Sequence, residues 1–241
     1  MKAFLLAAGK GMRLRPITNT IPKCLVPIGG IPLLQIWLTL FEKYGITDVF
    51  INTHYLSEKI ASFIHNVNTK CSIQLGYEKT MLGSGGTIYK NRSFVEATQY
   101  FFVIYADTFT TFNLRKMLDS HLEKKSFLTM GLFHTPLPHQ SGVVVMDSDN
   151  MIIDFQEKPK HPKSDLANAG IMIISSKIFE VLNFRESHIE YPLDLAFNIL
   201  PKLIGLMHGY IIHEPLIDIG TPENLKKANM LWPDLYQALG D

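Results

Sequence analysis

Cysteine is scarce: Cys24 and Cys71 are the two in 241 residues. They lack metal-ligand spacing and any disulfide framework, which excludes a zinc ribbon or a disulfide-stapled secreted scaffold and suits a reducing cytosol. Free thiols are the expectation. Charge is sparse as well, at 19% Asp, Glu, Lys and Arg against the roughly 25% of ordinary soluble domains. Basic and acidic side chains number 23 and 22, a net charge of +1. With no bulk field of either sign, nucleic acid and membrane are not expected partners, and an anionic ligand needs a local site. Apolar runs are broken by Pro, Gly or charge before the roughly 18 residues that cross a bilayer. The apolar start, Met1 to Ala8, is followed at once by Lys10, Arg13 and Arg15, where a signal peptide carries a small-residue cleavage site. A soluble, cytoplasmic chain is expected. His54, His134 and His139 show no His-x-x-x-His spacing, and there is no internal repeat, low-complexity tract or long linker.

What is present is a core: 46% hydrophobic residues in a length that buries about 70 to 75% of its extended surface. Ala3 to Ala8 is an unbroken apolar run feeding Gly9-Lys10-Gly11, the pattern of a buried parallel strand entering a loop. Leu33, Trp37, Leu40, Phe41 and Tyr44 recur at helical spacing, with Pro32 before them and Gly45 as a C-cap. Strands are expected at 49–52, 72–77, 100–105 and 127–133, alternating with helices at 57–65 and 113–125. This βαβ series implies an α/β fold, Rossmann-like, in three αβα layers around a mainly parallel mixed sheet. After Pro138 the pattern changes. Gly142 to Met146 and Met151 to Gln156 flank Asp147-Ser148-Asp149-Asn150, a hairpin signature. A strand at 167–174, a largely helical stretch at 194–204 and a last helix at 221–231 follow. One domain is expected, the second half being a substrate-facing subregion on one continuous sheet.

The loop after the first strand carries the first chemistry. Gly9 and Gly11 let backbone N–H groups approach phosphates, and Arg13 adds a planar fork of donors. Two common phosphate motifs fail here. A dinucleotide fingerprint wants a third glycine where Leu14 stands and an acid where Asn52 stands, and a Walker A loop wants Ser or Thr after Lys10, where Gly11 stands. Further on, Pro22-Lys23-Cys24-Leu25-Val26-Pro27 stiffens the backbone around a single lysine, a means of aiming an ammonium.

With these residues in view the chain resembles the sugar-1-phosphate nucleotidyltransferases. Leu6-Ala7-Ala8-Gly9-Lys10-Gly11-Met12-Arg13-Leu14-Arg15-Pro16-Ile17-Thr18, Pro22-Lys23 and Val26-Pro27-Ile28 match its signature, with Cys24 in place of the usual proline. Asn52-Thr53-His54-Tyr55-Leu56 is most similar to the mannose-1-phosphate and manno-heptose-1-phosphate guanylyltransferase branch. Leu82-Gly83-Ser84-Gly85-Gly86 resembles the loop that lies against the nucleoside. Ala106-Asp107 stands for Gly-Asp, and Glu157-Lys158-Pro159, Asn168-Ala169-Gly170 and Asp218-Ile219-Gly220-Thr221-Pro222 match the later motifs in order. The resemblance implies a nucleotide-diphospho-sugar transferase (GT-A-like) fold, with nucleotide binding in about 1–135 and sugar-phosphate binding in about 136–241. No hexapeptide repeat follows the last helix, so a C-terminal β-helix domain is not expected.

The resemblance also implies roles. The nucleotide is placed on Leu6, Ala8, Gly9, Gly11, Met12 and Arg13, with Gly83, Ser84 and Gly85 beside the nucleoside. Arg13, Lys23, Asp107, Lys158 and Asp218 are the catalytic set, and Asp107 and Asp218 the Mg²⁺ ligands. Gly142, Glu157, Lys158, Asn168 and Gly170 take the sugar phosphate. Nucleotidyl transfer needs alignment and charge neutralisation rather than a covalent nucleophile, and Mg²⁺ prefers carboxylates plus water and phosphate oxygens. Taken singly, Asp107 and Asp218 also suit a turn or a helix cap, and Glu157 and Lys158 a solvated pair. Asp147-Ser148-Asp149 has the form of a nucleotide-diphosphate metal motif, but its place in the chain favours a hairpin turn.

Glu78, after the third strand, stands where relatives read the base. A carboxylate accepts from both guanine N1–H and N2–H₂, while uracil offers one donor between acceptors. GTP is therefore favoured, with a loop position at 78 whose replacement should hardly disturb folding. UTP, dTTP or CTP with another sugar 1-phosphate is the alternative, and a silent nucleotide-sugar-binding regulator a second. A homo-oligomer stays open.

Overall fold

The computed structural model describes residues 1–182 and 190–240. The chain forms two compact units, the first from Met1–Thr80, Ile104–Asn113 and Glu214–Asp241, the second from Met81–Val103 and Leu114–His213.

In the first unit, β1 (Lys2–Leu6) pairs in parallel with β4 (Asp48–Thr53), and β4 with β5 (Ser72–Tyr77). Ala3, Phe4 and Leu5 are fully buried, as an unbroken apolar run requires. The register sets Leu6, Asn52 and Gly76 side by side at the ends of the three strands. Gly76 is needed there, because a side chain would strike the Phe50 ring. β2 (Pro27–Ile28) and β3 (Ile31–Pro32) form a small hairpin through Gly29 and Gly30, both at positive φ. A side chain at Gly29 would overlap the indole of Trp232 on α6 (Pro222–Gly240).

Helix α1 (Leu33–Lys43) starts at Pro32 and stops before Gly45, whose φ of 72° ends it at little cost. It buries Leu33, Leu34, Ile36, Trp37, Leu38, Leu40 and Phe41, each contributing about 1.5 to 3 kcal/mol by removal from water. The Trp37 indole N–H donates to the Thr108 carbonyl at 2.9 Å. That bond anchors β7 (Thr108–Thr110), which pairs antiparallel with β13 (Leu216–Asp218). Helix α2 (Ser57–Asn66) lies between β4 and β5 in the chain. Strand β6 (Tyr100–Tyr105) begins in the second unit and ends in the first.

In the second unit, β8 (Leu128–His134) pairs in parallel with β12 (Met207–Ile211) and antiparallel with β11 (Leu166–Ser175). β9 (Gly142–Met146) pairs antiparallel with both β10 (Ile152–Glu157) and β11. The β9–β10 connection is the expected hairpin turn, with Asp147 Oδ1 accepting from the N–H groups of Asp149 and Met151, each at 2.9 Å. Helices α3 (Ser84–Lys90), α4 (Leu114–Glu123) and the single turn α5 (Ile178–Val181) complete the unit.

The α/β class with a mixed, mainly parallel sheet is as the sequence implies. Residues 194–204 are largely helical, as expected, but not as an α-helix. Leu195–Ile199 is a π-helix and Leu200–Leu203 a 3-10 turn, because Pro201 lacks the N–H and its ring clashes with the carbonyl four residues back. The last helix runs beyond 231 to Gly240, through Pro233. The short strands β7, β12 and β13 carry no sequence signal of their own, and their partners are distant in the chain. Among the described residues no helix is long and apolar enough to cross a membrane.

Candidate active site

The loop leaving β1 turns at Gly11, which has φ 62° and opens a 3-10 turn over Met12–Leu14. Thr18 Oγ1 donates to the Gly11 carbonyl at 2.7 Å, and a Cβ on Gly11 would come within 2.9 Å of the Thr18 methyl. The loop is thus held from beneath, while Gly9, Lys10, Met12 and Arg13 are open to solvent or nearly so. Leu14 is the buried anchor.

Lys23 sits in another 3-10 turn, Lys23–Leu25, with Pro22 as its N-cap and Pro27 beginning β2. Its ammonium donates to Asp107 Oδ2 at 2.6 Å and to Asp218 Oδ1 at 2.8 Å, with 11% of the lysine side chain exposed. The β7–β13 ladder makes this possible. Asp218 pairs with Thr108 in register, and Ile219 donates to the Asp107 carbonyl at 3.0 Å. Asp218 Oδ1 also accepts from the Gly220 N–H at 2.8 Å. A Cβ on Gly220 would lie 2.8 Å from an Arg13 nitrogen and 3.0 Å from Lys23 Nζ, so the ends of these two flexible side chains would have to shift to admit one. Arg13 reaches Asp218 Oδ2 at 3.5 Å from the exposed rim. Four of the five residues implied as catalytic are gathered in this one place. Cys24, buried beneath, has its thiol pushed up to about 12 by burial, partly offset by a backbone hydrogen bond and reinforced by Asp107. It is unreactive.

Glu78 requires a correction. It is not an open loop carboxylate but is 6% exposed, and its Oε1 accepts from Asn52 Nδ2 at 2.8 Å. Its N–H donates to the Thr53 carbonyl, and its carbonyl lies 2.8 Å from His54 Nδ1.

The second unit carries the remaining residues. At Gly83 φ is 80°, and a Cβ would strike the backbone of Leu193. Ser84 opens α3 and donates to Asp194 Oδ2 at 3.0 Å, while Leu195 N–H donates to Ser84 Oγ at 2.8 Å. Asp194 in turn caps the π-helix through Ala196 and Phe197. Gly85 lies inside α3, where a Cβ would approach Ile199 to 2.5 Å. Gly142 pairs with Glu157, and a Cβ there would come within 2.5 Å of the Glu157 carboxylate. Burial raises the Glu157 carboxyl above its ordinary value, Lys158 opposes this, and Asp194 adds to it. Lys158, at φ 48°, holds its ammonium 3.7 Å from Glu157 with 59% of the side chain exposed. The pairing of Ala167 with Val143 brings Asn168 level with Gly142. Asn168 Oδ1 accepts from the Gly170 N–H at 2.9 Å, across the bulge where Gly170 has φ 71°.

Among the described residues no group of three or more His, Cys, Asp and Glu is placed to hold a metal ion. Two carboxylates converging on one ammonium do fit a divalent cation that takes one or two carboxylates and completes its shell with water and phosphate oxygens. Two residues to which the sequence reading gives no site role matter here, Asn52 and Asp194. Asn52 stood in the sequence as a missing acid and Asp194 as part of a helix, and neither role is visible without the pairing partners.

The chain matches the family described as Nucleotidyl transferase over residues 2–234. It is 32% identical over 229 residues to a D-glycero-alpha-D-manno-heptose 1-phosphate guanylyltransferase of Aneurinibacillus thermoaerophilus, covering 95% of this chain and 96% of that one. It is 33% identical over 261 residues to a UTP--glucose-1-phosphate uridylyltransferase of Synechocystis, covering 99% of this chain but 62% of the relative. The crystal structure of HddC from Yersinia pseudotuberculosis complexed with GMP-PN aligns with a TM-score of 0.79 at 26% identity, over 96% of this chain and 99% of that one.

Proposed function

We propose that this chain, which belongs to the nucleotidyl transferase family and is a sugar-1-phosphate nucleotidyltransferase, uses GTP and a manno-configured sugar 1-phosphate, mannose or heptose. The observation that carries nucleotidyl transfer at this site is the convergence of Asp107 and Asp218 on Lys23, with Arg13 at the rim. Phosphoryl chemistry asks a protein for positioned charge of both signs, and this cluster offers it beside a loop of small residues.

In the reaction an oxygen of the sugar phosphate bonds to the α-phosphorus of the triphosphate. The bond from that phosphorus to the bridging oxygen breaks, and pyrophosphate leaves with the electron pair. Leu6, Ala8, Gly9, Gly11 and Met12 line the nucleotide, and Arg13 and Lys23 bear on its phosphates. Asp107 and Asp218 hold Mg²⁺, which supplies charge neutralisation at the triphosphate. Gly83, Ser84 and Gly85 lie along the nucleoside. Lys158 binds the sugar phosphate, Glu157, Gly142, Asn168 and Gly170 its sugar, and Glu78 accepts from the guanine edge. The guanine preference is supported by the name of the heptose relative and by the GMP-PN complex.

A pyrophosphate-release assay over a matrix of GTP, UTP, dTTP, CTP and ATP against mannose, manno-heptose and glucose 1-phosphates tests this. Highest kcat/KM for GTP with a manno sugar is expected. A clear maximum at UTP with glucose 1-phosphate, the pair in the Synechocystis relative's name, would overturn the nucleotide and sugar assignment.

A further inference from the structure

The hydroxyl of Ser84 is engaged inside the protein. Its proton goes to Asp194 Oδ2 at 3.0 Å, and its oxygen accepts the Leu195 N–H at 2.8 Å. The other carboxylate oxygen, Asp194 Oδ1, accepts from the N–H groups of Ala196 and Phe197 at 2.8 and 3.2 Å. The Asp194 backbone is closed on Asn198, donating to its Oδ1 at 2.7 Å and accepting from its N–H at 2.9 Å. Beside it, the Leu193 N–H donates to the Leu82 carbonyl at 2.8 Å, and the Leu193 carbonyl accepts from the Gly86 N–H at 2.9 Å. Side chains of the same segment close the remaining space, Ile199 against Gly85 and the Tyr191 ring against Gly86. The turn from Leu82 to Gly86 thus takes its shape from a segment centred 110 positions further along the chain.

We infer that Asp194 is a positioning residue for the nucleoside: held by the π-helix that it caps, its carboxylate fixes the Ser84 hydroxyl and with it the Gly83–Gly85 turn. The inference rests on the reading of that turn as the nucleoside contact. A carboxylate accepts and does not donate, so it sets the direction of the Ser84 O–H. In Asp194→Asn the amide oxygen keeps the two N–H groups of the cap, where Asn serves about as well as Asp. The amide NH₂ then faces Ser84. The hydroxyl oxygen has to accept from it as well as from Leu195, and its proton loses the place that Asp194 gave it. Ser84→Ala removes the link from the other side, and Ser84→Thr keeps it.

Calorimetric titration with Mg²⁺ of GTP, of UTP and of inorganic tripolyphosphate, which has the phosphates without a nucleoside, reads this. Sugar phosphate is left out, because the Asp194 charge also bears on Glu157. In Asp194→Asn and in Ser84→Ala both nucleotides should bind about fivefold or more weakly, the worth of one hydrogen bond, while tripolyphosphate binds as before. Ser84→Thr should bind all three as the wild type does. Equal weakening of nucleotides and tripolyphosphate would mean a general structural role and refute positioning. Unchanged nucleotide binding in both variants also overturns it, and hydrogen exchange of the wild type then separates the causes. Slowing of the 82–86 amides by GTP but not by tripolyphosphate keeps the turn as the nucleoside contact and removes only Asp194; no slowing by GTP removes the turn itself. Should thermal melts show one variant unfolded, the other decides.

Discussion

The ammonium of Lys23 lies 2.6 Å from a carboxylate oxygen of Asp107, and the same nitrogen is 2.8 Å from Asp218. Lys23 therefore offsets part of the negative charge of the two side chains proposed to hold Mg²⁺. In Lys23→Met the carboxylates face each other without that cation. Since they are 37% and 50% exposed, solvent screens the repulsion, and the expected loss of stability in chelator is on the order of 1 kcal/mol. Thermal melts should show Mg²⁺ raising the Tm of the variant by more than that of the wild type. Equal shifts would mean that the two aspartates do not form a cation site.

Asp107→Asn and Asp218→Asn keep the size of each side chain and an acceptor for Lys23. Turnover should fall at least about a hundredfold in each, because charge stabilisation at the triphosphate is lost, while the melting curve stays near that of the wild type. Mg²⁺-dependent turnover within a few-fold of wild type in either purified variant excludes that residue from the metal.

Arg13 and Lys158 are assigned to different substrates. Arg13→Ala should raise KM for the nucleoside triphosphate, and Lys158→Ala KM for the sugar phosphate, each by about tenfold or more, as loss of a charged hydrogen bond predicts. Steady-state titration of each substrate at saturation of the other separates the two, and the crossed result would reverse the assignment.

Glu78 also bears on stability because it is buried against Asn52. Glu78→Ala removes the carboxylate that Asn52 Nδ2 donates to and should cost about 1 to 3 kcal/mol in urea unfolding. Glu78→Gln retains an acceptor and should cost much less. Equal, negligible losses in both would show that the Asn52 contact carries no stability.

Acid sensitivity is expected at His121. Burial, helped by the neighbouring His208, lowers its pKa from 6.5 to about 4. Its Nδ1 lies 2.8 Å from Thr129 Oγ1, and its ring packs edge-on against Tyr100. His208, itself lowered chiefly by burial, is in turn influenced by Lys124, Asp147 and Asp149. A depressed pKa stabilises the fold above the unfolded value of 6.5, and this stability is lost as the pH falls through about 4. The contribution is on the order of 3 kcal/mol. His121→Gln should flatten the fall in urea-unfolding free energy between those two pH values, and an undiminished slope would place the acid sensitivity elsewhere.

Much of the fold can be read from sequence where a segment declares itself locally. The run Tyr100–Tyr105 is apolar throughout, and Leu33–Lys43 shows helical spacing with its stops on either side. Segments whose structure is decided by a distant partner stay silent. Leu216–Asp218 is a strand because Thr108–Thr110, itself hung on Trp37, lies opposite. The same division holds in the candidate site. The aspartates and the cationic loop stand in motifs, so their types and spacing point to phosphate chemistry. The buried amide of Asn52 matters through the register of three parallel strands, and a linear string does not record register.

The first unit is woven from segments at both ends of the chain and one from its middle. During synthesis on a ribosome, Lys23 and Asp107 emerge long before Asp218, and Trp232 reaches Gly29 later still. A nascent chain that has passed residue 200 thus holds the phosphate loop and one carboxylate without the second. On the roles proposed for Asp107 and Asp218, nucleotide is not turned over by an unfinished polypeptide, and a stop codon shortly before 214 is expected to abolish catalysis even though the whole glycine-rich signature had been translated.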